Sequence, residues 1–260
     1  MKREKMTIQE VKLKLSEDRV SPEWLSELES DPRQGIQKLL AQWKRRQQRL
    51  QQMEQQWERM SHFERFYRAR GIVPIAGVDE VGRGPLAGPV VAAAVILPNE
   101  CYIPGLNDSK KLKTSEREDL FADIDRVAIN WAVAVVPVQR IDEINIYQAS
   151  LEAMSQAVKQ LTPQPQVLLN DAVVLPDIPV VQEKIVGGDT QSVSIAAASI
   201  MAKVTRDRLM VKLGEQYPQY GFERNMGYAT PEHLQALRRY GPTGEHRQSF
   251  APVQAVKKDA

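Results

Sequence analysis

One glycine-rich segment constrains this chain more than any other. It reads Gly77-Val78-Asp79-Glu80-Val81-Gly82-Arg83-Gly84-Pro85-Leu86-Ala87-Gly88-Pro89 and lies between the apolar runs 72–78 and 90–97. The pattern is strand, tight turn, strand. The first run delivers two adjacent carboxylates, Asp79 and Glu80, to a strand end, where acidic side chains can hold divalent cations. The glycines let backbone N–H groups approach a ligand closely. Gly82-x-Gly84 is a poor dinucleotide fingerprint, because that motif must open a helix and here Pro85 and a β-rich run follow. Taken alone, the acidic pair also fits a hairpin connection with solvated charges. Neighbours on a regular strand point to opposite faces, so for both acids to reach one site the strand is expected to end or bulge there.

At 260 residues the chain has room for one large domain, or for a domain with an appendage. Apolar residues make up 42% and charged residues 26%, a soluble balance, and no apolar run reaches the 18 residues of a membrane span. Residues 1–10 are charged and lack the apolar core of a secretion signal. The single cysteine, Cys101, excludes an internal disulfide framework and suggests a reducing compartment, so a cytoplasmic protein is expected. His62, His233 and His246 show no metal-ligand spacing. Charge is uneven: residues 1–70 carry 16 Lys/Arg and 11 Asp/Glu (net +5), residues 71–260 carry 19 and 22 (net −3). A net acidic body with a basic appendage suits a metal-binding core that must still attract a polyanion.

Two regions follow, a helical extension over 1–70 and an α/β domain over 71–260. Ser21-Pro22 and Asp31-Pro32 read as helix starts with Pro at the first helical position. The third helical segment, 36–70, carries Leu39, Trp43, Leu50, Met53, Trp57 and Met60 at steps of 3, 4 and 7, with Arg46 interrupting the stripe. It fits either a packed helical hairpin or an auxiliary basic surface for nucleic acid. Beyond Gly71, strands are expected over 73–79, 89–97, 131–137, 167–171 and 179–186. Helices are expected over 114–129, 146–161, 192–216 and 231–241.

Asp171 ends an apolar strand and Asp189 precedes a helix whose first turns, Val193 to Ala198, are small and apolar. Each position alone is bland, a turn residue or an N-cap. Together with Asp79 and Glu80 they place four acids at element ends of one sheet, which suits a cluster whose repulsion divalent cations neutralise. Other residues have simpler readings. Asp207 is expected to pair with Lys203 at i,i+4, and Asp108 to order its own turn. Trp24, Trp43 and Trp57 are expected as packing anchors, and Trp131 as a core residue. Arg238, Arg239, Arg247, Lys257 and Lys258 form a basic C-terminal region that is either a duplex-facing or a solvated surface.

These residues resemble ribonuclease HII, the bacterial type 2 ribonuclease H, over roughly residues 71–255. The likeness rests on Asp79-Glu80-Val81-Gly82-Arg83-Gly84, Leu106-Asn107-Asp108-Ser109-Lys110-Lys111-Leu112, the strand ending at Asp171, Gly188-Asp189, Ala197 through Asp207, and Gly227-Tyr228. It implies a ribonuclease H-like fold, a mixed five-stranded sheet flanked by helices, here with a helical N-terminal extension. It implies hydrolysis of the RNA strand of RNA–DNA hybrids and cutting 5′ of single ribonucleotides in duplex DNA, with 3′-hydroxyl and 5′-phosphate ends. Asp79, Glu80, Asp171 and Asp189 would hold the metal, Mg2+ or Mn2+, two ions during catalysis, about 4 Å apart. Gly82, Arg83 and Gly84 would grip the ribonucleotide, Tyr228 would sense its 2′-hydroxyl, and Ser109 and Lys110 would lie close to phosphates. The enzyme would act as a monomer away from membranes. The family's frequent Lys-Gly-Asp and His-Lys-Gly-Tyr-Gly are here Gly187-Gly188-Asp189 and Asn225-Met226-Gly227-Tyr228-Ala229, which removes positive charge near the nucleic acid. A resolvase or integrase of the same fold, or a non-catalytic hybrid-binding protein, are the rival readings. The Gly82-Arg83-Gly84 and Tyr228 elements argue against the first, and the full set of four acids against the second.

Overall fold

Alternation along one strand explains the layering of this protein. In the computed structural model, which describes residues 6–17 and 20–258, every residue of the strand β2 (Val90–Ile96) is buried. Val90, Ala92, Ala94 and Ile96 face one apolar cluster, and Val91, Ala93 and Val95 face another. A strand buried on both faces needs a helix layer on each side.

The sheet has five strands in the order β3-β2-β1-β4-β5. They are β1 (Ile75–Val81), β2, β3 (Asn130–Val136), β4 (Val167–Asp171) and β5 (Val181–Ile185). β1 pairs antiparallel with β2 and parallel with β4, β2 antiparallel with β3, and β4 parallel with β5. This is the expected mixed five-stranded sheet, and no helix among the described residues is long and apolar enough to cross a membrane.

The helices are α1 (Ile8–Lys14), α2 (Pro22–Glu29), α3 (Gln34–Met60), α4 (His62–Arg68), α5 (Thr114–Val127), α6 (Val138–Lys159), α7 (Val193–Gln216), α8 (Phe222–Asn225), α9 (Pro231–Tyr240) and α10 (Ala251–Lys258). Two compact units divide at Gln56/Trp57, inside α3. In the first, Val11, Leu15, Leu28, Ile36 and Leu40 make a small core with Trp24 and Trp43 packed against it. Ser21 caps α2 as expected. Pro32, expected at the first position of α3, instead precedes it, because Asp31 turns back to accept from the backbone N–H and guanidinium of Arg33. The long helical segment expected over 36–70 breaks at Ser61 into α3 and α4.

In the second unit α6 covers one sheet face and α7 the other. α6 begins eight residues earlier than its expected start of 146. Asn145, at φ 68° and ψ 163°, kinks it, and the side chain of Asn145 caps the next turn by accepting from Tyr147 and Gln148 N–H. α7 sits very close to the sheet. A Cβ on Gly77 would come within 2.0 Å of the Ser194 carbonyl carbon, so only glycine permits the approach. The alanines 196–198 of α7 are fully buried against β2.

Candidate metal centre and nucleic-acid face

β1 and β4 run parallel with Val78 beside Asn170, so Asp79 and Asp171 leave their strands side by side. Both lie on the α7 face. Asp79 is 6% exposed and interacts with the hydroxyl of Ser199 on α7, while Asp171 Oδ1 accepts from Gly188 N–H at 2.8 Å. Asp189 sits in the single 3-10 turn Gly188–Thr190 that leads into α7, and is buried. It is not the N-cap; Ser192 takes that place, accepting from Ile195 N–H at 3.2 Å.

Glu80 departs from expectation. β1 neither ends nor bulges at the acidic pair; its pairing with β2 continues unbroken through Glu80 beside Ala92 and Val81 beside Val91. Strand alternation therefore turns Glu80 toward the opposite face, where Arg83 meets it at 3.3 Å. Its Oε2 is buried without a hydrogen-bond partner.

The four acids feel one another. Burial pushes the Asp79 carboxyl well above the usual range, and the charges of Glu80 and Asp171 push it further. Glu80 is raised by burial and by Asp171, against the pull of Arg83. Asp189 is raised by burial and by Asp108, with Lys110 opposing and Asp171 adding. Lys110 Nζ stands 3.7 Å from Asp189 Oδ2 on a side chain that is 80% exposed. Desolvation works against its charge, but the field of Asp189, Asp108, Asp79 and Asp171 outweighs it and raises its pKa. Among the described residues, no three of the His, Cys, Asp and Glu side chains already converge closely enough to hold an ion. The donor set nevertheless fits a hard divalent cation. It is all carboxylate oxygen, one oxygen is buried without a partner, and the charge of Asp171 raises the pKa of the other three.

Beside the acids lies the glycine loop, held from within by two buried arginines. Arg247 donates to Gly82 O at 2.6 Å, Arg83 O at 2.9 Å and Gly88 O at 2.8 and 3.0 Å. Arg206 donates to Pro89 O, Ala87 O and Met226 O at 3.0 to 3.2 Å. Both guanidiniums are fully buried, which corrects the surface expected for Arg247. Gly82, at φ +96°, is required here, since a Cβ would lie 2.3 Å from Arg206 Nε. The loop's peptides are trans, and a planar trans peptide points its C=O and the following N–H in opposite directions. With the carbonyls of Gly82 and Arg83 turned to Arg247, the N–H groups of Arg83 and Gly84 point away from it.

Tyr228 joins this face. It is 44% exposed, and a Cβ placed on Gly84 would lie 3.6 Å from its Cε1. The two loops are tied by Leu86 N–H donating to Gly227 O at 2.8 Å. The Arg83 guanidinium carbon lies 6.0 Å from the Tyr147 ring. Of the expected phosphate contacts, Lys110 is exposed, whereas the Ser109 hydroxyl is buried and 3.0 Å from Ser199 Oγ, anchoring the turn that presents Lys110. Asp207 pairs with Lys203 at 2.7 Å as expected, and with Arg117 at 3.6 Å. Asp108 orders its own turn, accepting from Lys110 N–H at 2.9 Å, and it also bears on Asp189. The side chains of Lys257 and Lys258 lie outside the described residues.

Sequence reasoning missed Glu64. This fully buried acid of α4 accepts from Ser192 Oγ at 2.6 Å and Ser194 N–H at 3.0 Å, closing the N-terminus of α7 next to Asp189. It also missed the contact between His233 and His246, whose Nε2 atoms lie 3.1 Å apart.

The family model for ribonuclease HII matches residues 76–253, and that for the ribonuclease HII N-terminal domain matches residues 7–68. A ribonuclease HII of Geobacillus sp. (strain WCH70) is 52% identical over 253 residues, spanning 97% of this chain and 91% of that one. The ribonuclease HII of Geobacillus kaustophilus (strain HTA426) is 53% identical over 237 residues, 91% of this chain and 90% of that one. Among solved structures, ribonuclease H2 from Pyrococcus horikoshii OT3 superposes with a TM-score of 0.62 at 27% identity, covering 71% of this chain and 97% of that chain.

Proposed function

Because the chain belongs to the ribonuclease HII family, a family of hydrolases acting on the RNA of RNA–DNA hybrids, we propose that this protein cuts 5′ of single ribonucleotides embedded in duplex DNA as well as within hybrids. It leaves 3′-hydroxyl and 5′-phosphate ends, requires Mg2+ or Mn2+, and works as a cytoplasmic monomer. The helical extension over 1–70 serves the catalytic domain over 71–260.

The observation that carries this reading is the juxtaposition of two unlike regions. Four mutually repelling carboxylates, Asp79, Glu80, Asp171 and Asp189, stand beside a rigid loop that turns the Arg83 and Gly84 N–H groups and the Tyr228 ring to one side. Asp79, Asp171 and Asp189 on the α7 face, joined by Glu80 from the other face of β1, would hold divalent cations, which would supply Lewis-acid charge at the scissile phosphate. The remaining work falls to the chain itself. Gly82, Arg83 and Gly84 grip the ribonucleotide through backbone donors. Tyr228 packs against its ribose and reads the 2′-hydroxyl, the group that separates RNA from DNA. Lys110, presented by the Ser109 turn, attracts a flanking phosphate. The fixed loop imposes little ordering cost at the moment of binding.

The test is cleavage of a duplex containing one ribonucleotide. Wild-type protein with Mg2+ or Mn2+ should nick it once, 5′ of the ribonucleotide, and should spare the all-deoxy duplex. A chelator should stop the reaction. Cutting of the all-deoxy duplex at a similar rate would refute the ribose-sensing role.

A further inference from the structure

His233 and His246 are both fully buried, and the nuclease chemistry above uses neither. Their hydrogen bonds permit only one arrangement of protons. His233 Nδ1 lies 2.8 Å from Tyr228 O, and a carbonyl oxygen can only accept. In a neutral ring, Nδ1 must then carry the proton and Nε2 must be the acceptor. His246 Nε2, 3.1 Å away, must therefore be the donor, which leaves His246 Nδ1 as an acceptor. Thr243 N–H donates to that atom at 3.0 Å, and the Thr243 hydroxyl also lies 3.0 Å from it. Every ring nitrogen is satisfied, and each bond points the same way: Thr243 to His246, His246 to His233, His233 to Tyr228.

The ends of this chain are the two segments that shape the nucleic-acid face. Its head lies in the segment that carries Arg247, whose backbone N–H donates to Leu86 O at 2.8 Å, while Gly88 N–H donates to Glu245 O at 2.9 Å. Its tail is the backbone of Tyr228. That carbonyl also accepts from Thr230 N–H at 2.8 Å, and Thr230 caps α9 through His233 N–H. The rings are walled by Tyr220 and Phe222, with centroids 4.8 to 6.2 Å away. Tyr220 itself donates to Gly241 O.

We propose that His233 and His246 form a one-way hydrogen-bond chain that locks the backbone of Tyr228 to the segment bearing Arg247, making both histidines positioning residues for recognition of the ribose. The inference rests on the ribose-reading role given to Tyr228 above. Neither ring touches substrate; each acts through the Tyr228 carbonyl.

The protonation pattern can be read directly. Long-range proton–nitrogen NMR on the intact protein near neutral pH should find His233 as the Nδ1–H tautomer and His246 as the Nε2–H tautomer. The opposite assignment, or a charged ring, overturns the chain. Function is read from the preference for a duplex with one ribonucleotide over its all-deoxy counterpart. His233→Leu fills the site but cannot donate, and should lower that preference about tenfold. His233→Asn keeps a donor near the Nδ1 position but breaks the link to His246, so its preference should fall between those of wild type and His233→Leu. A purely structural role would move melting temperature without moving the preference. If Tyr228→Ala abolishes the preference while His233→Leu retains it, this inference fails alone. If Tyr228→Ala itself retains the preference, the ribose reading fails and this inference with it.

Discussion

The carboxylate cluster and the glycine loop lie side by side and are built on opposite principles. In the cluster, burial and like charge raise the pKa of Asp79, Glu80 and Asp189, and Glu80 Oε2 has no partner. In the loop, two buried arginines spend their N–H groups on seven contacts to backbone carbonyls, and two histidines complete a closed chain. One region holds unrelieved repulsion that a cation can relieve. The other is satisfied before substrate arrives. A site that must both bind metal and discriminate a single hydroxyl needs both, since charge drives the chemistry and rigidity supplies the selectivity.

Breaking the loop should have the largest effect on folding. Arg247→Met would leave the carbonyls of Gly82, Arg83 and Gly88 without their buried donor. We expect a loss of about 3–5 kcal/mol of stability in urea unfolding. Asp79→Asn should do the reverse. It removes a like charge, so without divalent cations the variant should be more stable than wild type by about 1 kcal/mol, while cleavage falls by about a thousandfold or more.

Acid should separate the two regions by sign. Burial, with the neighbouring His233, pushes His246 down to about 4. Its contribution to stability is therefore complete above the ordinary histidine pKa of about 6.5 and is lost as pH falls toward about 4. Asp79 is raised, so its contribution is present at low pH and lost as pH rises through its folded pKa. Melting curves between about pH 7 and pH 4 without divalent cations should show His246→Gln falling less steeply than wild type. Asp79→Asn should fall more steeply, because it lacks the acid's compensating gain. The smallest effect belongs to Lys110→Ala, since that ammonium is largely exposed. Stability should change little, and the slope of log affinity against log salt should drop by about 0.9 if one phosphate contact is lost.

Much of the cluster was legible in the sequence, and much of the loop was not. Asp171 ends the apolar run of its strand, Asp79 closes an apolar run two residues before its strand stops, and Asp189 precedes a helix with an unmistakably buried first turn. Local patterning carries that information. The continuation of β1 through Val81 was missed because its partner residues in β2 lie beyond the turn. The buried arginines were missed because all but one of their partners are backbone carbonyls more than a hundred residues away along the chain, and the backbone leaves no sequence signature. A signal did exist. Arg206 sits four residues from both Ala202 and Met210 on α7, and His233 three and four residues before Ala236 and Leu237 on α9, each on an otherwise apolar stripe. A polar residue on a buried stripe must find a partner. The three histidines were read as scattered, which is true of their spacing; two of them meet only through the fold.

The division of labour between the two regions is tested most directly by one binding measurement on three proteins. Wild type, Asp79→Asn and Tyr228→Ala are titrated, with a divalent cation present, with matched duplexes that differ in a single 2′-hydroxyl, and cleavage is followed in the same samples. The account predicts that Asp79→Asn keeps the wild-type preference for the ribonucleotide duplex and does not cut it, whereas Tyr228→Ala loses the preference. Loss of the preference in Asp79→Asn together with its retention in Tyr228→Ala would place recognition in the carboxylates and contradict the account.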